Sequence, residues 1–354
     1  MALLFLPIFG CAFVVGALAY TLNLPMPFML GGIVGAAGFV VWYEREDRQL
    51  PKLSRWVRLI SMSLIGTMIG SRVTPEFLTL LPQFWLSGLA IIPFILLAHG
   101  GSYAIMRGLG KYDRKDAYFA ALPGGIVDSA ALAEEAGADL RVVTTQHFIR
   151  IILVVLTIPF LFLIIDGNAV GSAAGESLAA ADYTLQDIGI ILVVAAVGLV
   201  LGRQTRLPVS HMLGPLLLAL VLSITGVISI SAPEWMVNLA QYFVGTALGA
   251  QFSGVSRRLL ARGLGMGILA GVYMLALAGA FAGLLLDLVP ADFGALFISF
   301  AAGGLAEMSL IALSLNFNPI VVAIHHLMRI LITVGFGAFL SKRLFGTGGK
   351  HEDV

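Results

Sequence analysis

Long apolar stretches alternate with short polar breaks along the whole chain. In the first half the apolar windows cover residues 3–20, 26–43, 56–73, 84–106 and 140–165. The same order returns over residues 187–202, 208–230, 235–252, 263–289 and 320–340. A helix that crosses a bilayer takes about 20 mostly apolar residues, so each window predicts one span, ten in all. Strand-like alternation is missing and the runs are too long for barrel strands, which sets a β-barrel aside. In lipid the backbone must then satisfy its hydrogen bonds within helices.

Two further apolar stretches are interrupted. Residues 117–137 contain Pro123-Gly124-Gly125 followed by Asp128, Glu134 and Glu135, and residues 293–315 contain Gly303-Gly304 followed by Glu307. A proline removes a backbone donor and paired glycines favour non-helical backbone. Each stretch predicts a re-entrant hairpin, with Glu134, Glu135 and Asp139 at a solvated exit.

Composition places this pattern in lipid. Hydrophobic residues make up 59% of the chain and charged residues 12%, about half the usual charged fraction. The net charge of +1 and the lack of any large basic region argue against a nucleic-acid partner. Cys11 is the single cysteine, so neither an internal disulfide nor a thiolate metal site can form. Residues 1–6 carry no lysine or arginine, and the first apolar stretch reads as a span and not as a signal peptide.

Lysine and arginine set the orientation, because short cytoplasmic loops carry their excess. With the N-terminus inside and both hairpins returning to their own side, Arg45, Arg48, Lys52, Arg55 and Arg58 fall inside, as do Arg107, Lys111, Arg114 and Lys115. Arg203 and Arg206, then Arg257, Arg258 and Arg262, then Lys342 and Arg343 follow them. The connector 166–186 has no lysine or arginine and lies outside. Five crossings and one hairpin per half are an odd number, so the halves are inverted. The expected organisation is a first transmembrane repeat over 1–165, an external connector over 166–186, a second, inverted repeat over 187–345 and a cytoplasmic tail over 346–354.

An internal repeat supports this layout. When the sequence is slid on itself until Gly124-Gly125 meets Gly303-Gly304, Asp128 meets Glu307, His147 meets His326 and Arg150 meets Arg329. Gly66-Thr67 and Gly70 meet Gly245-Thr246 and Gly249 at the same offset, and Met29-Leu30-Gly31 echoes Met212-Leu213-Gly214 at a slightly different one.

Inverted repeats with broken helices mark transporters, in which half-helix ends meet near the midplane. The candidate substrate- and ion-binding residues are therefore Pro123, Gly124, Gly125, Asp128, Gln146, His147 and Arg150, with Gly303, Gly304, Glu307, His325, His326 and Arg329. Gln146 and Arg150 share a helix face, as do His325 and Arg329. Ionisable groups inside a span face partners or a watery cavity, which leaves two readings of the arginines: contact with solute, or pairing of Arg150 with Asp128 and Arg329 with Glu307. The adjacent histidines point about 100° apart on a helix, without carboxylate or cysteine at ligand spacing, so they read as hydrogen-bonding or proton-relay groups. No metal site and no catalytic motif is expected.

The motifs Leu122-Pro123-Gly124-Gly125 with Asp128, Gly137-Ala138-Asp139, Gln146-His147-x-x-Arg150, Gly303-Gly304-Leu305-Ala306-Glu307-Met308 and His325-His326-x-x-Arg329 resemble the bacterial AbrB-type membrane protein family over nearly the whole chain. Ala302 stands where that family more often has proline, and Asn316-Phe317-Asn318 where Gly-Ala-Asp is usual. The resemblance implies a multi-pass protein of the bacterial inner membrane, in a family labelled in places as regulator of gene expression or ammonia monooxygenase. The topology is also similar to that of 2-hydroxycarboxylate and sodium/glutamate symporters. The expected function is secondary transport of a small, anionic solute by an elevator-type homodimer, with no cofactor beyond Na+ or H+ as coupling ion. The alternatives are a membrane regulator acting through a partner and a membrane oxidoreductase, which would need copper or iron ligands.

Overall fold

A computed structural model of the protein describes residues 5–46, 50, 54–166, 183–205, 207, 209–230, 232–255 and 257–345. The helices of the first half are α1 (Leu6–Thr21), α2 (Pro27–Tyr43), α3 (Arg55–Gly70), α4 (Pro75–Leu80), α5 (Trp85–Ala104), α6 (Arg114–Ala120), α7 (Ile126–Glu135) and α8 (Leu140–Asp166). Those of the second are α9 (Leu185–Gln204), α10 (Ser210–Ile224), α11 (Glu234–Ala250), α12 (Arg257–Leu285), α13 (Phe293–Phe300), α14 (Leu305–Ser314) and α15 (Pro319–Phe345). No strand occurs among the described residues. Most of the predicted connector, the tail, and Arg48, Lys52 and Arg206 lie outside them.

Each predicted span coincides with a helix, but the helices differ in reach. Leu81–Leu109, Leu140–Ile165, Leu185–Gln204, Leu260–Leu285 and Pro319–Phe345 are long and apolar enough to cross a membrane. Leu6–Thr21, Pro27–Tyr43 and Ser210–Ile224 are apolar but have only 16, 17 and 15 residues. At 1.5 Å per residue they extend about 22–26 Å, short of a hydrocarbon core of about 30 Å. Outward faces are apolar at helical spacing: Trp85, Leu89, Ile92 and Leu96 on α5, and Val193, Val197 and Val200 on α9, are all exposed. Such faces suit lipid, and the protein has the make-up of a helical membrane protein.

The chain forms two compact units, and neither is one of the halves read from the sequence. The first unit takes Met1–Pro82, Val155–Gly254 and Ala306–Ile320; the second takes Gln83–Val154, Val255–Leu305 and Val321–Val354. In the first unit α2 packs on α11 and α10 packs on α3. Glycine makes these crossings possible. A Cβ at Gly66 would strike the Met212 carbonyl oxygen and one at Gly70 that of Leu216, while one at Gly245 would strike that of Met29 and one at Gly249 that of Ile33. These are counterpart pairs, with each half supplying the glycine helix that the other half's carbonyls meet. Both helices so met begin after a left-handed residue, Met26 and Val209, each at φ 46°. For a β-branched valine that conformation costs energy.

The second unit repeats the exchange. Packed at Gly267 is Ile149 of α8, and packed at Gly88, 3.2 Å from where its Cβ would be, is the Met328 methyl of α15. Gly88 and Gly267 are counterparts at the same offset that relates Gly124 to Gly303, and so are Ile149 and Met328.

Candidate functional site

The interrupted stretches break where Pro123-Gly124-Gly125 and Gly303-Gly304 stand. Helix α6 ends at Ala120 and α7 starts at Ile126; α13 ends at Phe300 and α14 starts at Leu305. The glycines of the first crossover serve space, not a left-handed backbone. Gly125 is extended, at φ −68° and ψ 144°. A Cβ on it would lie 2.8 Å from Asp128 Oδ2, and one on Gly124 would lie 2.9 Å from Thr333 Cγ2. Asp128 is half-buried in the first turn of α7, where the positive end of the helix favours a carboxylate.

A broken helix leaves the last carbonyls of its first half without partners, and here arginine and histidine supply them. Arg150, buried on α8, donates from Nη1 to the Leu122 carbonyl at 2.6 Å and from Nη2 to the Gly124 carbonyl at 3.0 Å. His147 lies with Nε2 3.0 Å from the Phe119 carbonyl and Nδ1 3.0 Å from Arg150 Nη2. Only the neutral Nε2–H tautomer satisfies both contacts, donating to the carbonyl and accepting from the guanidinium.

The second crossover is fastened the same way. Arg329 donates from Nη1 to the Ala301 carbonyl at 2.6 Å and from Nη2 to the Gly303 carbonyl at 2.8 Å. His326 Nε2 is 3.0 Å from the Ile298 carbonyl, and its Nδ1 is 3.0 Å from Arg329 Nη2. Every donor and acceptor in this set matches one in the first at the offset that relates Gly124 to Gly303. Arg329 Nη1 also approaches the Phe300 carbonyl at 3.4 Å.

The arginines thus do not pair with Asp128 and Glu307, one of the two readings open from sequence alone. Their Nη groups are spent on backbone carbonyls, and among the described residues neither has a carboxylate partner. Both Nε atoms are buried with no hydrogen-bond partner. Both lie in the second unit, close enough for the charge of Arg150 to act on Arg329.

The other predicted residues have diverse surroundings. Gln146 donates from Nε2 to the Tyr112 hydroxyl at 2.8 Å and to the Gly263 carbonyl at 3.0 Å, while its Oε1 is buried without a partner. His325 is held by the Val321 carbonyl at 2.7 Å and the Ser87 hydroxyl at 2.9 Å. Glu307, buried in the first turn of α14, belongs to the first unit, where the charge of Arg58 acts on it. No group of three or more His, Cys, Asp or Glu suited to a metal occurs among the described residues. Between the start of α6 and the segment after α7, Lys115 Nζ donates to the Ala136 carbonyl and Asp116 Oδ1 accepts from the Asp139 N–H, both at 2.8 Å. Glu134, Glu135 and Asp139 are exposed there, as expected. Burial, with the nearby charges of Asp139 and Asp113 against the hydrogen bond, raises the Asp116 carboxyl above the ordinary range.

Sequence reasoning passed over Thr333 and Ser129. Both are buried, and both line the position where Gly124 lacks a side chain. Neither has a polar counterpart at that offset, where Val154 and Met308 stand. The usable signal was that Thr333 lies one turn beyond Arg329, on the same face of α15.

A family model described as "Transition state regulatory protein AbrB" matches residues 45–345. The chain is similar to "Uncharacterized protein YhjN" of Bacillus subtilis (strain 168), with 27% identity over 349 residues, 92% of this chain and 89% of that protein. It is also similar to "Putative regulator AbrB" of Escherichia coli (strain K12), with 25% identity over 295 residues, 83% of each chain.

Proposed function

This chain belongs to the AbrB family, and from that premise we propose that it is a secondary transporter of a small organic anion, built from two inverted repeats of five spans and one re-entrant hairpin. The observation that carries the reading is the pair of buried guanidinium groups, each without a carboxylate and each with an unpartnered Nε. A helix C-terminus offers roughly half a negative charge, so two half-helix ends offset about one of the two positive charges. The surplus favours a monoanion, and a carboxylate is the commonest small one.

The reciprocal glycine crossings and the two matching Arg-His clamps support the duplication. They suit an elevator in which the unit bearing the crossovers carries the solute. In this reading Arg150 and Arg329 complement the anion, Asp128 and Glu307 take Na+ or H+, and the crossover glycines leave room for backbone contact. The protein then sits as a homodimer in the bacterial inner membrane, takes no resident cofactor and performs no enzymatic reaction.

The test is a thermal-stability screen of detergent-solubilised protein against mono- and dicarboxylates, amino acids and ammonium, with and without sodium. A ligand at about 100 times its dissociation constant adds roughly 2.7 kcal/mol. We expect a carboxylate to stabilise the wild type and to lose that effect with Arg150→Lys or Arg329→Lys, followed by flux of that solute into liposomes. Binding of ammonium or of a protein partner with no anion would instead favour a membrane regulator acting through a partner, the reading suggested by the names of the family model and the Escherichia coli relative.

Orientation has its own test. A cysteine replacing Gly171 should react with an impermeant thiol reagent on intact cells, and one replacing Lys111 should not. The opposite pattern would overturn the arrangement with the N-terminus inside.

A further inference from the structure

The two crossovers are clamped alike but are not lined alike. At the first, the space left by Gly124 is bounded by Thr333, whose Cγ2 would lie 2.9 Å from a Cβ there, and by Ser129, whose Oγ would lie 3.7 Å away. Thr333 and Ser129 are each 2% exposed, and Thr333 Oγ1 has no hydrogen-bond partner. A buried hydroxyl without a partner costs about 1–3 kcal/mol, so it is an unexpected group to keep beside a crossover unless something bonds to it. The cost is also avoidable, because the counterpart of Thr333 is Val154, of nearly the same shape and without the hydroxyl. The counterpart of Ser129 is Met308, likewise apolar.

The surroundings indicate what would bond there. Arg150 Nη2 is 3.0 Å from the carbonyl oxygen of Gly124 itself, and Arg329 precedes Thr333 by one turn on the same face of α15. Helix α15 thus serves both crossovers, clamping the second through Arg329 and lining the first through Thr333. The groups left to donate are hydroxyls and guanidinium N–H, which match an anionic oxygen better than a cation.

We propose that the first crossover alone holds a hydroxyl-lined anion subsite, in which Thr333 and Ser129 donate to one carboxylate of the solute beside Arg150 while the second crossover serves as framework. The assignment rests on the anion-transport reading and deepens it by making one hairpin the recognition element. For solute to arrive, the subsite must open to water.

Cysteine reactivity tests this without knowledge of the solute. Cys11 is the only cysteine, so in a Cys11→Ala background Thr333→Cys, Ser129→Cys and Val154→Cys each give one thiol. Each purified protein is treated with 2-sulfonatoethyl methanethiosulfonate, which is anionic, and with its cationic trimethylammonium analogue. Two nearby guanidinium groups should speed the anionic reagent by about tenfold or more over the cationic one at positions 333 and 129, with Val154→Cys left unlabelled. Equal rates, a preference for the cation, no labelling at either hydroxyl position, or equal labelling at position 154 would each overturn the proposal. Using two hydroxyl positions guards against one variant that fails to fold. If a carboxylate stabilises the wild type but the anionic reagent shows no preference, the subsite fails and the transport reading stands. If the preference is found and no carboxylate binds, the transport reading fails instead.

Discussion

Replacing Arg150 by alanine should lower unfolding stability by about 2–4 kcal/mol, even though the change removes a buried charge. The Leu122 and Gly124 carbonyls, both held by this guanidinium, would be left at a break where no helical N–H can replace it. An unsatisfied buried acceptor costs about 1–3 kcal/mol, and relief of the repulsion from Arg329 returns only part of that. Arg150→Lys keeps the charge but cannot span two carbonyls and an imidazole from a planar fork, so it should recover less than half of the loss. Arg329→Ala should behave likewise at the second crossover. Combining the two alanines should cost more than their sum, since each single variant already gains the whole relief of the mutual repulsion while the pair gains it only once. Denaturant unfolding in detergent micelles, followed by tryptophan fluorescence, reads all four proteins. Unchanged stability in Arg150→Ala would mean that the crossover is held by something else, and full rescue by lysine would reduce the clamp to a point charge.

Much of this architecture is legible in hydropathy and breakers. Ten apolar windows coincide with helices, and the Pro-Gly-Gly and Gly-Gly positions coincide with the two interruptions. Sliding the sequence on itself finds the clamp residues, because histidine and arginine that match at one offset stand out against an apolar background. What those residues hold is not legible. Arg150 invites a search for a carboxylate, yet its partners are carbonyl oxygens, which every residue possesses and no letter of the sequence marks. The glycines hide their partners in a similar way. Gly66 shows that something comes close, but not that it is the backbone of α10 from the other half. For the same reason the compact units, which draw segments from both halves, do not follow from the order of windows along the chain. Thr333 and Ser129 escape for the opposite reason. A reading that looks for matches between the halves discards the positions where they differ, and those are the positions that make the two crossovers unequal.

Gly66→Val and Gly245→Val should each be more damaging than any surface substitution, costing about 3 kcal/mol or more. At both positions the obstacle is a backbone carbonyl oxygen, of Met212 and Met29 respectively, set closer to the missing Cβ than real Cβ contacts allow. A flexible side chain could swing away from such a clash, but a carbonyl inside a helix can move only with its helix. The two sites are reciprocal, so their costs should be similar, although the surrounding sequence differs. Gly38→Ala is the internal control. Gly38 is exposed on α2, and nothing lies within 4 Å of where its Cβ would be, so alanine there should be neutral or should stabilise the helix by about 0.5–1 kcal/mol. Thermal unfolding of the three variants side by side separates crowding from helix propensity. If Gly66→Val melts with the wild type while Gly245→Val does not, the crossings are not equivalent, and the proposed duplication loses its strongest geometric support. If both fall together, the two glycine helices are held by one rule applied twice, as the proposed duplication expects.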